Sequence, residues 1–211
     1  MKGTAITVLF IAGTLGATVA SPAVGQDAAW WGELEDRGAG MHVLDADSVY
    51  HVSGFTYGDI YRDMQRNGPG TDEIGVRLGM HTSEWRWSYR FTSAPGERCR
   101  LSEATVLLKS TIVLPEWTNV STAPPEIATG WRPFLQALTR HEEGHRSRAK
   151  AQGVFLWQTL LGLAADDCDA LQTIVDEMAE RVIAEGRAAQ VAYDRDTGHG
   201  LTQGAAWPPR P

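Results

Sequence analysis

His141 and His145 stand four residues apart, and Glu142 directly follows the first, so His141-Glu142-Glu143-Gly144-His145 has the pattern H-E-x-x-H. This pair constrains the fold more than any other feature of the chain. Residues i and i+4 lie one above the other on an α-helix, so the spacing predicts a helix with both imidazoles aimed at one position. Neutral ring nitrogens bind Zn2+ at about 2.0–2.1 Å. Glu142 leans toward the same position without needing to ligate. A carboxylate there can take a proton from a zinc-bound water, whose pKa the metal lowers to about 7. With six His and 13 Glu in 211 residues, about 0.01 such matches are expected by accident. The helix stripe reads Phe134, Leu138, His141, His145 and Ala149, which puts both His on the buried face and leaves Arg140, Arg146, Arg148 and Lys150 for the rest. Gly144 costs up to about 1 kcal/mol relative to Ala inside a helix. It is read either as room for a closely approaching strand or substrate, or as a tolerated weak position.

The remaining pattern predicts an α+β fold: a strand-rich N-terminal half with one helix, packed against a helical C-terminal half that carries the motif helix, a zincin-like arrangement. Val49–Ser53 reads as a strand. Thr56 reads as the N-cap of a helix with Asp59 three residues on, ended by Asn67-Gly68-Pro69-Gly70. Trp85, Trp87, Tyr89 and Phe91 alternate with polar residues, as a strand with one aromatic face, taken as core rather than as a ligand-binding row. A second strand runs from Ala104 to Leu114 and is expected to stop at Pro115, followed by a loop over Asn119–Gly130. Helices are expected from near Trp131 to at least Ala151, with a kink at Gly153, and from near Asp169 to about Tyr193.

Hydrophobic residues make up 43% and charged residues 21%, enough apolar content for a packed core. The formal charge is −7, and no basic run is present, which argues against nucleic acid or an anionic membrane as partner. Lys2 followed by the apolar stretch Ala5–Ala20 and small residues reads as a secretory signal peptide, cleaved after Ala20 or after Gly25. The expected organisation is a signal peptide over residues 1–25 and a single zincin-like metallopeptidase domain over 26–211, exported to the periplasm or the exterior, without a stable membrane anchor. The two cysteines, Cys99 and Cys168, are then expected to form a disulfide, since the count is even and the compartment oxidising.

Catalytic zinc commonly takes three protein ligands plus water, so one ligand is missing from the motif. His199 is the candidate, flanked by Gly198 and Gly200 and close to Asp194 and Asp196, which could accept its other ring N–H. Asp194 and then Glu177 are the alternatives.

The opening strand with Tyr50, Val52 and Gly54, Cys99, the turn Leu114-Pro115-Glu116-Trp117, the motif helix, Cys168, and the closing run Tyr193-Asp194, Thr197-Gly198-His199-Gly200 and Gln203-Gly204 together resemble a known family. It is the bacterial domain-of-unknown-function family 922, described as predicted secreted zinc-dependent proteases. The resemblance spans about Tyr50 to Gly204 and implies export and a protease-like zinc site. The residues themselves lead to an exported zinc metallopeptidase with one Zn2+, a peptide or protein substrate, and Glu142 as general base. Ala104–Leu114 is the expected strand for docking substrate backbone. Two competing readings are a zinc-containing exported binding protein without turnover and a zinc amidase acting on cell-wall material. An open coordination position would separate the enzymes from the binder. N-terminal sequencing of exported protein is expected to find a first residue between Ser21 and Asp27; an intact Met1 outside the cytoplasm would exclude a cleaved signal.

Overall fold

The computed structural model describes the backbone of residues 2–7 and the whole of residues 37–73 and 75–209. Its elements are β1 (Lys2–Thr7), β2 (Gly40–Asp45), β3 (Ser48–Val52), α1 (Tyr57–Asn67), β4 (Met80–Thr92), β5 (Cys99–Trp117), α2 (Pro125–Leu161), β6 (Ala164–Ala165) and α3 (Cys168–Thr197), with short 3-10 turns at Val120–Thr122 and Leu201–Gln203. The class is α+β. The sheet runs β1-β4-β5-β2, and β5 also carries β3 in parallel and β6 antiparallel. The expected cleavage region, Ala20 to Gly25, lies outside the described residues. β1, whose backbone pairs with β4 from Lys2↔Thr92 to Thr7↔Trp87, belongs to the segment that cleavage would remove. No described helix is long and apolar enough to cross a membrane.

Local rules place most elements. Thr56 caps α1 by accepting from the Asp59 N–H at 3.1 Å, and Gly68 closes it by donating to the Met64 carbonyl at 2.8 Å. Two boundaries differ from the sequence expectation. β5 does not stop at Pro115 but runs on to Trp117, with Pro115 paired to Tyr50 of β3. A ladder uses the N–H of only every second residue toward one neighbour, so a missing N–H need not end a strand. Helix α2 opens at Pro125 rather than near Trp131, because proline is tolerated at a first helical position where the N–H has no partner anyway. Gly153 does not break it. A Cβ there would meet Met41 and would lie 3.1 Å from Trp85, so this glycine lets strand side chains approach the helix.

The chain forms two compact units, each built from three stretches. They do not coincide with a strand half and a helical half, because β4, β5, α2 and α3 each contribute residues to both. The first unit comprises Met1–Leu44, Ser83–Lys109 and Ala149–Arg187. Its core gathers Trp85, Trp87 and Tyr89 of β4 with Val106 and Leu108 of β5 and Leu156, Leu160, Leu171 and Val175 of the helices, so the aromatic row is core as expected. Cys99 and Cys168 are bonded within it, their Cα atoms 5.2 Å apart.

The second unit comprises Asp45–Thr82, Ser110–Arg148 and Ala188–Pro211. Val52, Ile60, Met64, Trp117, Trp131, Phe134, Leu138 and Trp207 form its core. Trp131 lies at its centre, with ring centroids 5.3 to 5.4 Å from Trp117, Phe134 and Trp207. This cluster fixes the N-terminal part of α2, and with it the motif three turns further on.

The disulfide closes a separation of 69 residues. The Cys99→Ser/Cys168→Ser double variant is expected to lose up to about 4 kcal/mol in denaturant unfolding. Thiol titration of the unfolded, unreduced chain is expected to find no free thiol, and two free thiols would contradict the bond.

Candidate metal centre

The stripe read from the sequence is the buried face of α2: Phe134, Leu138, His141, His145 and Ala149 all have 6% exposure or less. His141 and His145 face the last turn of α3 and the turn beyond it, all within the second unit. Asp194 supplies the point where they meet. Its Oδ1 lies 3.1 Å from His141 Nε2, 2.9 Å from His145 Nε2 and 3.1 Å from His199 Nδ1, and the two Nε2 atoms are 3.3 Å apart.

The outer nitrogen of each ring is held by an acceptor. Gln190 donates its amide N–H to the His145 carbonyl at 3.0 Å, so its Oε1 is the atom 2.6 Å from His145 Nδ1. Gln203 donates to the Tyr193 hydroxyl at 3.0 Å, which leaves its Oε1 for His141 Nδ1 at 2.9 Å. The Asp72 carboxylate accepts from His199 Nε2 at 3.0 Å. Each outer nitrogen is thus a donor, and in the neutral rings each inner nitrogen presents a lone pair toward one carboxylate oxygen. Several lone pairs facing one another at 2.9 to 3.3 Å need a cation between them, either protons or a metal. Without metal the protons serve. Burial opposes charge on His145, but the hydrogen bond and charge of Asp194, with Gln190 and Glu142, together outweigh this and raise its pKa. Asp194 raises His199 as well. Burial pushes Asp194 up, yet hydrogen bonds from His141, His145 and His199 hold it far below the carboxylate range.

A metal fits the same donors. A tetrahedral ion bound at 2.0–2.1 Å separates two ligand nitrogens by about 3.3 Å, which is the spacing of the two Nε2 atoms. Among the described residues, two overlapping groups have ligand atoms close enough to share an ion: His141, Asp194 and His199, and His141, Glu142 and His145. The site therefore brings together His141, Glu142, His145, His199 and Asp194. Glu177 lies in the first unit and belongs to neither group. Asp196, expected as a possible partner of His199, is exposed and pairs with Arg195, because a residue two positions from Asp194 on a helix points elsewhere. Asp72 takes the role instead.

Glu142 is buried to 3% exposure, and its carboxylate packs against the chain just before β4, where a Cβ on Gly79 would lie 2.8 Å from Oε1. Burial pushes its pKa up to about 7. The strand beside the motif is thus the start of β4. Central β5, flanked by β4 on one side and by β2, β3 and β6 along its length, is not the free strand expected for substrate. On β4, two residues beyond Gly79, His81 stacks on His145 with centroids 6.2 Å apart. Ser110 Oγ accepts from Arg146 Nε at 3.1 Å and shares a hydrogen bond with His81 Nε2 at 3.0 Å. Burial pushes His81 down to about 4, which keeps it neutral. Arg146, expected on the solvated face, is buried because Asp47, Glu143 and Asp45 surround its guanidinium.

The chain matches the family model described as "Bacterial protein of unknown function (DUF922)" over residues 48–200. It belongs to that family. The match takes in the motif, Asp72, Gln190, Asp194 and His199, while Gln203 lies just past its end. No curated protein and no solved structure matches the chain.

Gly144 is also explained. Tyr193 of α3 stacks on His141 with centroids 5.0 Å apart, and its hydroxyl occupies the space that a Cβ on Gly144 would need. A neighbouring helix, rather than a strand or substrate, makes the close approach. Gly144→Ala is expected to lower the melting temperature despite alanine's better helix propensity of about 1 kcal/mol, and Tyr193→Phe is expected to recover part of the loss. A melting temperature raised by Gly144→Ala alone would contradict this packing.

Proposed function

We propose that this chain is an exported zinc-dependent metallopeptidase of zincin-like architecture, with His141, His145 and His199 as zinc ligands and Glu142 as general base. The observation that carries the reading is Glu142, a carboxylate buried beside the two motif imidazoles. A purely structural metal site needs no such group, and burying a carboxyl without a task is costly. Imidazole and carboxylate donors at this spacing suit zinc. When bound, zinc would polarise a peptide carbonyl and lower the pKa of a coordinated water.

The chain's own residues do the rest. Glu142, with its pKa near 7, can accept a proton near neutrality and return it to the departing amine. Gln203, Gln190 and Asp72 hold the tautomers that direct His141 Nε2, His145 Nε2 and His199 Nδ1 inward. Tyr193 and His81 pack on the motif rings and limit their rotation. The disulfide supports the export reading, since such bonds persist in oxidising compartments.

One observation favours the binding-protein reading. Asp194 Oδ1 adds a fourth donor, and four protein ligands would close the site to water. In the hydrolytic reading Asp194, with 22% of its side chain exposed, turns aside to admit water. The purified mature chain is expected to contain one zinc and to cleave a peptide library. Glu142→Gln is expected to keep the zinc and lower the rate by about 10²–10⁴-fold, whereas His141→Ala loses the metal. The cobalt-substituted chain is expected to change its visible spectrum on adding acetohydroxamate. A zinc-loaded parent with no cleavage, and a cobalt form indifferent to hydroxamate until Asp194→Ala is introduced, would establish the closed site instead.

A further inference from the structure

His199 sits in a backbone that L-residues disfavour. Its φ is 52°, and it lies between Gly198 at 56° and Gly200 at 80°, three successive left-handed residues after the end of α3. Its N–H donates to the Asp194 carbonyl at 3.0 Å, which closes the helix, but that bond fixes only the backbone. The ring itself is held from both sides, by Asp194 at Nδ1 and by Asp72 at Nε2.

Asp72 comes from a small loop 127 residues earlier, and the loop is built to present its carboxylate. Asp72 N–H donates to the Gly75 carbonyl at 3.0 Å, Arg77 N–H to the Gly70 carbonyl at 2.9 Å, and Thr71 bridges Val76. Within that frame Gly75 N–H donates to Asp72 Oδ1 at 3.1 Å, while Arg77 Nε and a terminal guanidinium nitrogen donate to Oδ2 at 2.9 and 2.7 Å. One oxygen is therefore clamped by Arg77 and the other turned toward His199. The two motif histidines, by contrast, have neutral glutamine acceptors behind them.

We propose that Asp72, locked by Arg77, is the positioning residue of the third metal ligand: it forces the proton onto His199 Nε2, aims Nδ1 inward, and makes this ring a stronger donor than an amide acceptor would. This rests on the reading of His199 as a zinc ligand. A carboxylate behind an imidazole raises its basicity, and loss of such a partner costs 10–100-fold in metal affinity. Arg77 fixes the orientation of Asp72 by holding its other oxygen, so the carboxylate sets the strength of His199 and the clamp its aim.

The test is a double-variant cycle on zinc affinity, measured by competition with a chromophoric chelator. Asp72→Ala is expected to weaken binding 10–100-fold, Asp72→Asn less, because it keeps a hydrogen-bond acceptor without the charge, and Arg77→Ala is expected to weaken it as well. In a His199→Ala background, Asp72→Ala is expected to cost nothing further. The cobalt-substituted Asp72→Ala chain is expected to show the same altered visible spectrum as His199→Ala. Equal losses from Asp72→Ala in both backgrounds would make the loop a structural support only and overturn the proposal, as would parent-like affinity in Asp72→Ala. A His199→Ala chain that binds as tightly as the parent would remove the ligand on which the proposal stands while leaving the motif site intact. A parent that binds no zinc would overturn the metallopeptidase reading and this inference together.

Discussion

Everything around the motif depends on one electrostatic constraint: three imidazole nitrogens and one carboxylate oxygen are held within 2.9 to 3.3 Å contacts in a largely buried space. Lone pairs do not gather this way unless a positive charge sits among them. The surrounding protein fixes the tautomers so that the donors cannot simply turn outward. Asp194 favours the protonated form of His145 and His199, and on the proposed reading a metal ion would compete with those protons for the same place.

That constraint explains where glycine is required. Helix α2 and the end of α3 must come close enough for side chains on both to share one point, and a Cβ is in the way at several places. On Gly144 it would strike the Tyr193 hydroxyl, on Gly79 it would lie 2.8 Å from Glu142 Oε1, and on Gly200 2.9 Å from His141 Cγ. Gly200 carries a second requirement, its φ of 80°, which turns the chain back so that Ala205 N–H can donate to its carbonyl at 3.0 Å. Close approach thus has an identifiable residue on each side of the motif helix.

The legible part of this site was the local part. A four-residue spacing is a statement about one helix, and it puts His141 and His145 on the buried face with Glu142 leaning toward the same point; that Glu142 is itself buried comes from the fold. His199 and Asp194 were legible as candidates because few histidines exist and the glycines flanking His199 signal an unusual turn. The outer partners were not legible. Gln190 and Gln203 are common residue types with no pattern of their own, and Asp72 is separated by 127 residues, so only the folded backbone brings it to the ring. Arg146 was misassigned because three carboxylates, two of them on the Asp45–Asp47 segment, bury a charge that helix periodicity leaves in solvent. The β5 and α2 boundaries slipped at Pro115 and Pro125 for a related reason: whether a proline ends an element depends on which partner its missing N–H would have met.

The placement of the site on α3 adds a last physical argument. Asp194 lies in the final turn of a 30-residue helix, where the unpaired carbonyls already make the end partly negative. A carboxylate there is unfavourable by itself, and Asp196 in the same turn adds to it. Arg195 offsets Asp196 at the surface, at 3.4 Å, but cannot serve the inward-facing Asp194. Positive charge must come from the other side, from protons on the imidazoles or from a cation that the same donors would hold. The helix end and the donors of α2 therefore favour the same occupant, and the turn Gly198–Gly200 is the piece of backbone that lets His199 join them from beyond the helix.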